Sequence, residues 1–409
     1  MDFNKRFSIA HYDRFHGEFA HVYYETLKNA DPAYLANLHD VYFGKYFYYE
    51  YNGVQKRAGN PMGVEASDEQ IDYLFKIQSE LGVEISLTFN TVEVPHELAF
   101  DSSVRDQFVE WIGGYYDRGL RSCTMSSEHI LRMGILQARC PDMRWKSTVN
   151  QIVSDAQQFI DYAYLGYNTI LLDRSLSRNI RELKRIKRAQ DYLNGLNPKK
   201  KLLTSLLIAE ACIYHCPFKK EHDAVGEVIG SEYFKEIADL SCNGWRQHAG
   251  FADLPRSGIN LVANDTATFE EFASLVDVFK YSGRLTSPAF KADDAQYIKA
   301  VWYYDDKSTK FKQSISFVGK TIYANDFNEI AANNLAPLHS WIPGWIDTRH
   351  TKEDWRSSFK TYTGIWMTEP GKRLEKILKT CRNQCWDCHE CERTFGVQDI
   401  DSALQIRKT

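Results

Sequence analysis

The sequence predicts an α/β architecture, a TIM-like (β/α)8 barrel followed by a C-terminal extension that ends in a cysteine-rich metal-binding tail. Three observations predict it. Over residues 1–290, short apolar, β-branched runs alternate with longer helical patterns, as parallel strands joined by crossover helices require. The runs number eight, which closes a barrel more readily than it extends an open doubly wound sheet. Finally, no Gly-x-Gly-x-x-Gly follows the first run and no Gly-x-x-x-x-Gly-Lys-Ser/Thr occurs anywhere, which argues against a Rossmann or P-loop nucleotide fold.

In order, the strand candidates are Phe7–Tyr12, Asp40–Gly44, Glu84–Asn90, Arg121–Ser126, Trp145–Asn150, Thr169–Asp173, Leu202–Leu207 and Val276–Arg284. The helical patterns between them cover Asp68–Leu81, Ser103–Tyr116, Ser127–Ala138, Asp155–Leu165 and Leu176–Leu193. From Pro288 to Thr380 the pattern is less regular: a helical stretch at Asp293–Tyr304, then polar and aromatic segments, then Pro370–Thr380. The expected domains are therefore a barrel over 1–290 and an extension over 291–409, with the cysteine-rich tail at 381–391.

At 409 residues, 44% hydrophobic and 25% charged, the composition is that of an ordinary globular protein. A net charge of −4 gives no general attraction to nucleic acid or anionic membranes. Residues Met1–Ser8 contain no apolar signal core and no run approaches a membrane span. Nine cysteines in such a chain suggest reduced thiols used for metal binding or catalysis. The expected location is cytoplasmic.

The densest chemistry lies in the run Cys381-Arg-Asn-Gln-Cys385-Trp-Asp-Cys388-His-Glu-Cys391. A short loop cannot bury four sulfurs, and exposed free thiols are an oxidation liability. A metal is the economical explanation. Structural zinc sites pair two Cys-x-x-Cys knuckles across a longer spacer, whereas tight cysteine strings hold iron–sulfur clusters. An iron–sulfur cluster is expected, with zinc as the alternative and unligated or disulfide cysteines as the remaining reading. The x3–x2 spacing of Cys381, Cys385 and Cys388 is also that of radical S-adenosylmethionine enzymes, but those carry the motif near the start of their barrel. A second group, Cys212 and Cys216, follows the seventh strand candidate, and Cys242 offers a third ligand. His222 is a candidate ligand or base. Cys123 and Cys140 read as core residues, because free cysteine is often a small buried hydrophobe.

Segments just past barrel strands lie at the C-terminal mouth, where barrel enzymes bind substrate. Asn90, Ser126, Asn150, Asp173, Arg174, Glu210 and Arg284 occupy such positions. Gly283 lets the chain turn before Arg284, whose guanidinium suits a carboxylate or phosphate. The stretch 174–201 carries ten Lys or Arg against two acidic residues. A solvated helix face explains it more simply than a phosphate-binding surface.

Several pieces together resemble the U32 peptidase, or collagenase-like, family: Asp40-Val-Tyr-Phe-Gly44, Ser147-Thr-Val-Asn150, Leu171-Leu-Asp-Arg-Ser-Leu-Ser-Arg178, Cys212-Ile-Tyr-His-Cys216-Pro-Phe with His222, and Val278-Phe-Lys-Tyr-Ser-Gly-Arg284. The resemblance implies a TIM-like barrel and, through the family's hydroxylation-factor branch, a 4Fe–4S cluster on four cysteines. Cys212 and Cys216 match the family's mid-barrel cysteine region, with Cys242 as a third position. The fuller cysteine set of that region is incomplete here, which leaves two arrangements open: one 4Fe–4S cluster completed by a ligand from the tail, or two clusters.

The leading expectation is an iron–sulfur barrel enzyme carrying out an oxygen-independent redox modification, hydroxylation of an RNA base or a small aromatic substrate. Asn150, Arg174, His222 and Arg284 are the candidate catalytic or positioning residues. A small-molecule co-substrate is expected, with RNA and an electron donor as further partners. One alternative is a U32-type peptidase using Cys212 or Cys216 beside His215 or His222. Another is a non-catalytic, zinc-stabilised interaction protein.

Overall fold

The computed structural model describes residues 7–11, 24–25, 27–28, 35–36, 38–59, 65–91, 94–208, 271–281, 369–382, 384–388 and 390. The strands are β1 (Phe7–Ala10), β2 (Leu38–Gly44), β3 (Phe47–Tyr51), β4 (Val54–Ala58), β5 (Glu84–Phe89), β6 (Ser122–Met125), β7 (Arg144–Lys146), β8 (Thr169–Leu171), β9 (Leu203–Ile208) and β10 (Val278–Tyr281). Eight of them close a barrel in the order β1-β10-β9-β8-β7-β6-β5-β2, and β3 and β4 form a separate hairpin. Each of the eight predicted strands overlaps one barrel strand.

The helices are α1 (Asp68–Leu81), α2 (His96–Phe100), α3 (Ser102–Asp117), α4 (Glu128–Arg132), α5 (Ile135–Arg139), α6 (Ala156–Leu165), α7 (Ile180–Leu196), α8 (Glu369–Lys379) and the single turn α9 (Cys385–Cys388). Their ends follow local chemistry. Ser67 and Gln70 form a reciprocal capping box at the start of α1, and Gly82 closes that helix at φ 67°; such a cap contributes about 1 kcal/mol. Asp101 and Asp155 cap α3 and α6 with their carboxylates.

Three predicted elements differ clearly from those observed, the first being Leu176–Leu193, where a 3-10 turn over Arg174–Arg178 precedes a helix that starts only at Ile180. Ser127–Ala138 is not one helix, because Gly134 at φ 75° separates α4 from α5. The strand expected at Trp145–Asn150 stops at Lys146, where Thr148 and Gln151 cap a 3-10 turn over Val149–Gln151.

The hairpin is an addition to the predicted strands. It leaves β2 past Gly44, turns at Asn52 and Gly53 with φ 53° and 73°, and returns toward α1. Positive φ at both central residues suits the twist of a two-residue hairpin loop. Phe47 stacks on Tyr49 at 5.1 Å and meets Phe108 of α3 at 5.3 Å, which anchors one face of the hairpin.

The chain divides into two compact units. The first comprises Met1–Asp173, Arg185–Leu206 and Val276–Tyr281; the second comprises Arg174–Lys184, Leu207–Leu275 and Ser282–Thr409. In the second, Thr380 bridges Asn179 in antiparallel fashion. Lys379 of α8 contacts Glu375 and Glu271, each at 3.0 Å. No helix among the described residues is long and apolar enough to cross a membrane.

Candidate active site at the barrel lumen and mouth

Alternation along the strands sends every second side chain to the helices. Phe43 meets Tyr115, and Phe89 lies 4.8 Å from Phe108. Ile85, Leu87, Cys123, Met125 and Trp145 share that face and are buried. Covering an aliphatic or aromatic side chain of this size contributes about 1.5–3 kcal/mol before conformational entropy is charged.

The opposite face points into the barrel, and it is polar. Ser8, Asp40, Ser86, Thr88, Ser122, Thr124 and Lys146 are all buried there. Most barrels fill this space with Val, Ile and Leu. Here Ser122 donates to Ser86 at 3.0 Å, and the ammonium of Lys280 lies 4.2 Å from the centre of the Tyr42 ring. At the N-terminal end of the lumen Arg144 pairs with Glu84.

At the centre is an ion pair. Lys146 donates to Asp40 at 2.5 Å, and Ser8 donates to the other carboxylate oxygen. Burial alone pushes the pKa of Asp40 upward. The charges of Lys146 and His39, with the hydrogen bonds from Lys146 and Ser8, outweigh that and hold it at about 2. His39 joins through a β-bulge: Phe7 pairs with Leu38 but Ser8 pairs with Asp40, so His39 is the extra residue. Its Nε2 lies 3.8 Å from Asp40 Oδ2.

His39, Asp40 and Glu84 are the one group of three potential metal ligands among the described residues. Lys146 and Arg144 already neutralise the two carboxylates, so the cluster is an ion-pair network and a poor cation site.

The C-terminal mouth is held by Gln151. Its amide nitrogen donates to the Ser126 carbonyl, Glu128 and the Tyr167 hydroxyl at 3.2, 2.8 and 2.8 Å. Its amide oxygen accepts from the Thr148 backbone at 2.8 Å. Ile152, which follows, is partly exposed and sits at φ 52°, a left-handed conformation rare for a β-branched residue. This loop sets the place of Asn150, a half-buried residue of the 3-10 turn. The sequence singled out Asn150 but not Gln151.

The remaining sequence candidates divide as follows. Arg174 begins a second 3-10 turn, Arg174–Arg178. Arg178 of that turn, nearly fully buried, donates from Nη2 to Cys381 Sγ at 3.2 Å. Cys385 and Cys388 bound α9, and Cys388 is exposed. Cys212, Cys216, Cys242, His222, Arg284 and Cys391 lie outside the described residues. Cys123 and Cys140 are fully buried, as the sequence suggested. Burial pushes both thiols up, Cys140 to about 11. The Arg181, Lys184, Arg185 and Arg188 side chains of the basic stretch fall on the exposed face of α7, as the simpler reading expects.

No family model matches the sequence, and no curated protein matches it. Among solved structures the chain is similar to the U32 peptidase Mk0906, with a TM-score of 0.40 and 10% identity over 68% of this chain and 92% of that one. It is also similar to the carboxyl transferase domain of Rhizobium etli pyruvate carboxylase with 3-bromopyruvate, with a TM-score of 0.37 and 9% identity over 93% of this chain and 61% of that one. At this level of overlap neither likeness transfers an activity to this chain.

Proposed function

We propose that the protein is an iron–sulfur enzyme that carries out an oxygen-independent hydroxylation of an RNA base or a small aromatic ring. The observation that carries this reading is the contact of the buried Arg178 guanidinium with Cys381. Hydrogen bonds to ligating sulfur orient metal ligands and are a recognised control on cluster potential. The donor set fits such a group: Cys381, Cys385 and Cys388 follow one another across the turn after α8, and their spacing with Cys391 is too tight for two separate zinc knuckles. When bound, a cluster supplies one-electron transfer. With water as the oxygen source, a ring C–H becomes C–OH while two protons and two electrons leave, so the reaction needs a redox partner. Substrate recognition falls to the mouth, the usual ligand position of barrel enzymes.

Anaerobic purification tests the reading directly. The expected product is brown, contains iron and sulfide, and absorbs near ~400 nm, as clusters do. A colourless protein carrying stoichiometric zinc would overturn it.

A further inference from the structure

From the C-terminal ends of two neighbouring strands we infer that Thr88, Asn90 and Ser126 form a hydrogen-bonding edge for an uncharged cis-amide group, the N–H and C=O of a lactam, at the barrel mouth. Thr88 is fully buried and Ser126 nearly so. Thr88 Oγ1, Asn90 Oδ1 and Ser126 Oγ are buried atoms with no hydrogen-bond partner among the described residues. Such atoms are rare in folded proteins, and each leaves a desolvation cost uncompensated. Three in one place suggest that the missing partner is a ligand.

Register places them together. Thr88 pairs with Thr124, and Phe89 with Met125. The Ser126 amide continues the ladder by donating to the Phe89 carbonyl at 3.0 Å. Asn90 and Ser126 therefore stand side by side, two residues beyond Thr88 and Thr124 on the same lumen face. The edge is at the C-terminal end, where barrels bind ligands.

The atoms define the chemistry. Asn90 Oδ1 only accepts, so the ligand must bring a donor. The two hydroxyls can each donate or accept, and can serve an adjacent carbonyl. Lys146, on the strand beyond β6, is committed to Asp40, so the edge gains nothing from a charged ligand. A neutral donor beside an acceptor is the complement. This inference shares with the proposed function only the use of the mouth as substrate site, and does not depend on the metal.

Ligand-observed NMR titration of the full chain with 2-pyrrolidinone, against N-methyl-2-pyrrolidinone, tests it. Saturable binding of the first, weakened about tenfold by N-methylation and by Thr88→Val or Ser126→Ala, is expected. The same two substitutions should raise the thermal midpoint by a few degrees, because each removes an unpaired buried hydroxyl. Equal binding of the two lactams, or none by either, overturns the inference. So does a lowered midpoint in Thr88→Val, which would mean that the hydroxyl is paired within the fold. Iron content and colour of the same samples read the proposed function separately, so the two can fail independently.

Discussion

Lys146, the last residue of β7, meets Asp40 of β2 inside the barrel at 2.5 Å, with both side chains almost wholly withdrawn from water. Three strand-to-strand steps separate β7 from β2 around the shorter arc of the barrel, so the pair ties together parts of the wall that share no backbone hydrogen bond. A buried pair of this kind gives little net stability compared with an apolar filling, but breaking it leaves one charge stranded.

Asp40→Ala or Lys146→Ala should therefore destabilise the fold by about 3–5 kcal/mol. The double substitution Asp40→Leu/Lys146→Met should cost less than either single change. Urea denaturation of the three variants measures this, and an additive double would contradict the pairing.

Acid should expose the same pair. Asp40 is held at about 2 in the folded protein, below the ordinary carboxylate value of about 4. A depressed carboxylate adds stability above its unfolded pKa, and that stability is lost as pH falls through the folded value. Asp40 should thus contribute on the order of 2 kcal/mol at neutral pH, disappearing between about pH 4 and pH 2. Denaturation midpoints across that window should fall steeply in the native sequence and less so in Asp40→Asn.

The mouth loop combines a hub with a strained neighbour. Gln151→Ala removes the three donor contacts and the accepted one and should cost about 1–3 kcal/mol. Ile152→Gly relieves the left-handed backbone at φ 52° and should gain up to about 1 kcal/mol, since the side chain is partly exposed. Opposite shifts of thermal midpoint at adjacent residues are the signature to look for.

In the proposed cluster site, Arg178 would act on Cys381 from outside the cysteine string. Arg178→Leu should leave the protein folded by circular dichroism while reducing iron retention against a chelator about 10–100-fold, the usual effect of removing a partner that orients a ligand. Unchanged retention would show the contact to be structural only.

Cys123 and Cys140 should be inert. With both thiols buried and pushed up, native protein should leave them unmodified by a thiol reagent at neutral pH, and denaturant should expose them. Peptide mapping after pulse labelling distinguishes them from the tail cysteines.

The eight barrel strands were legible because each is a short β-branched run set between longer helical patterns, and that alternation reports parallel pairing directly. The polar lumen is present in the same letters, but its direction is not. Glu84-Ile-Ser-Leu-Thr-Phe89 and Ser122-Cys-Thr-Met125 alternate strictly, a pattern usual for sheets with one solvated face. Here the polar face turns inward. The sequence marks Gln151 only as the end of a Thr148-x-x-Gln151 capping pattern, since a loop glutamine becomes a hub only when three distant acceptors converge on it.

The sequence by itself determined the eight barrel-strand segments, most of the helices between them, the absence of nucleotide-binding loops, and the cysteine string, because local periodicity, turn chemistry and residue spacing are carried by neighbours in the chain. Tertiary structure alone decided that Asp40 finds Lys146, that Arg178 finds Cys381, and that Thr88, Asn90 and Ser126 share one edge. Those relationships depend on barrel closure, strand register and chain return over separations of up to 203 residues, and neither periodicity nor spacing encodes them.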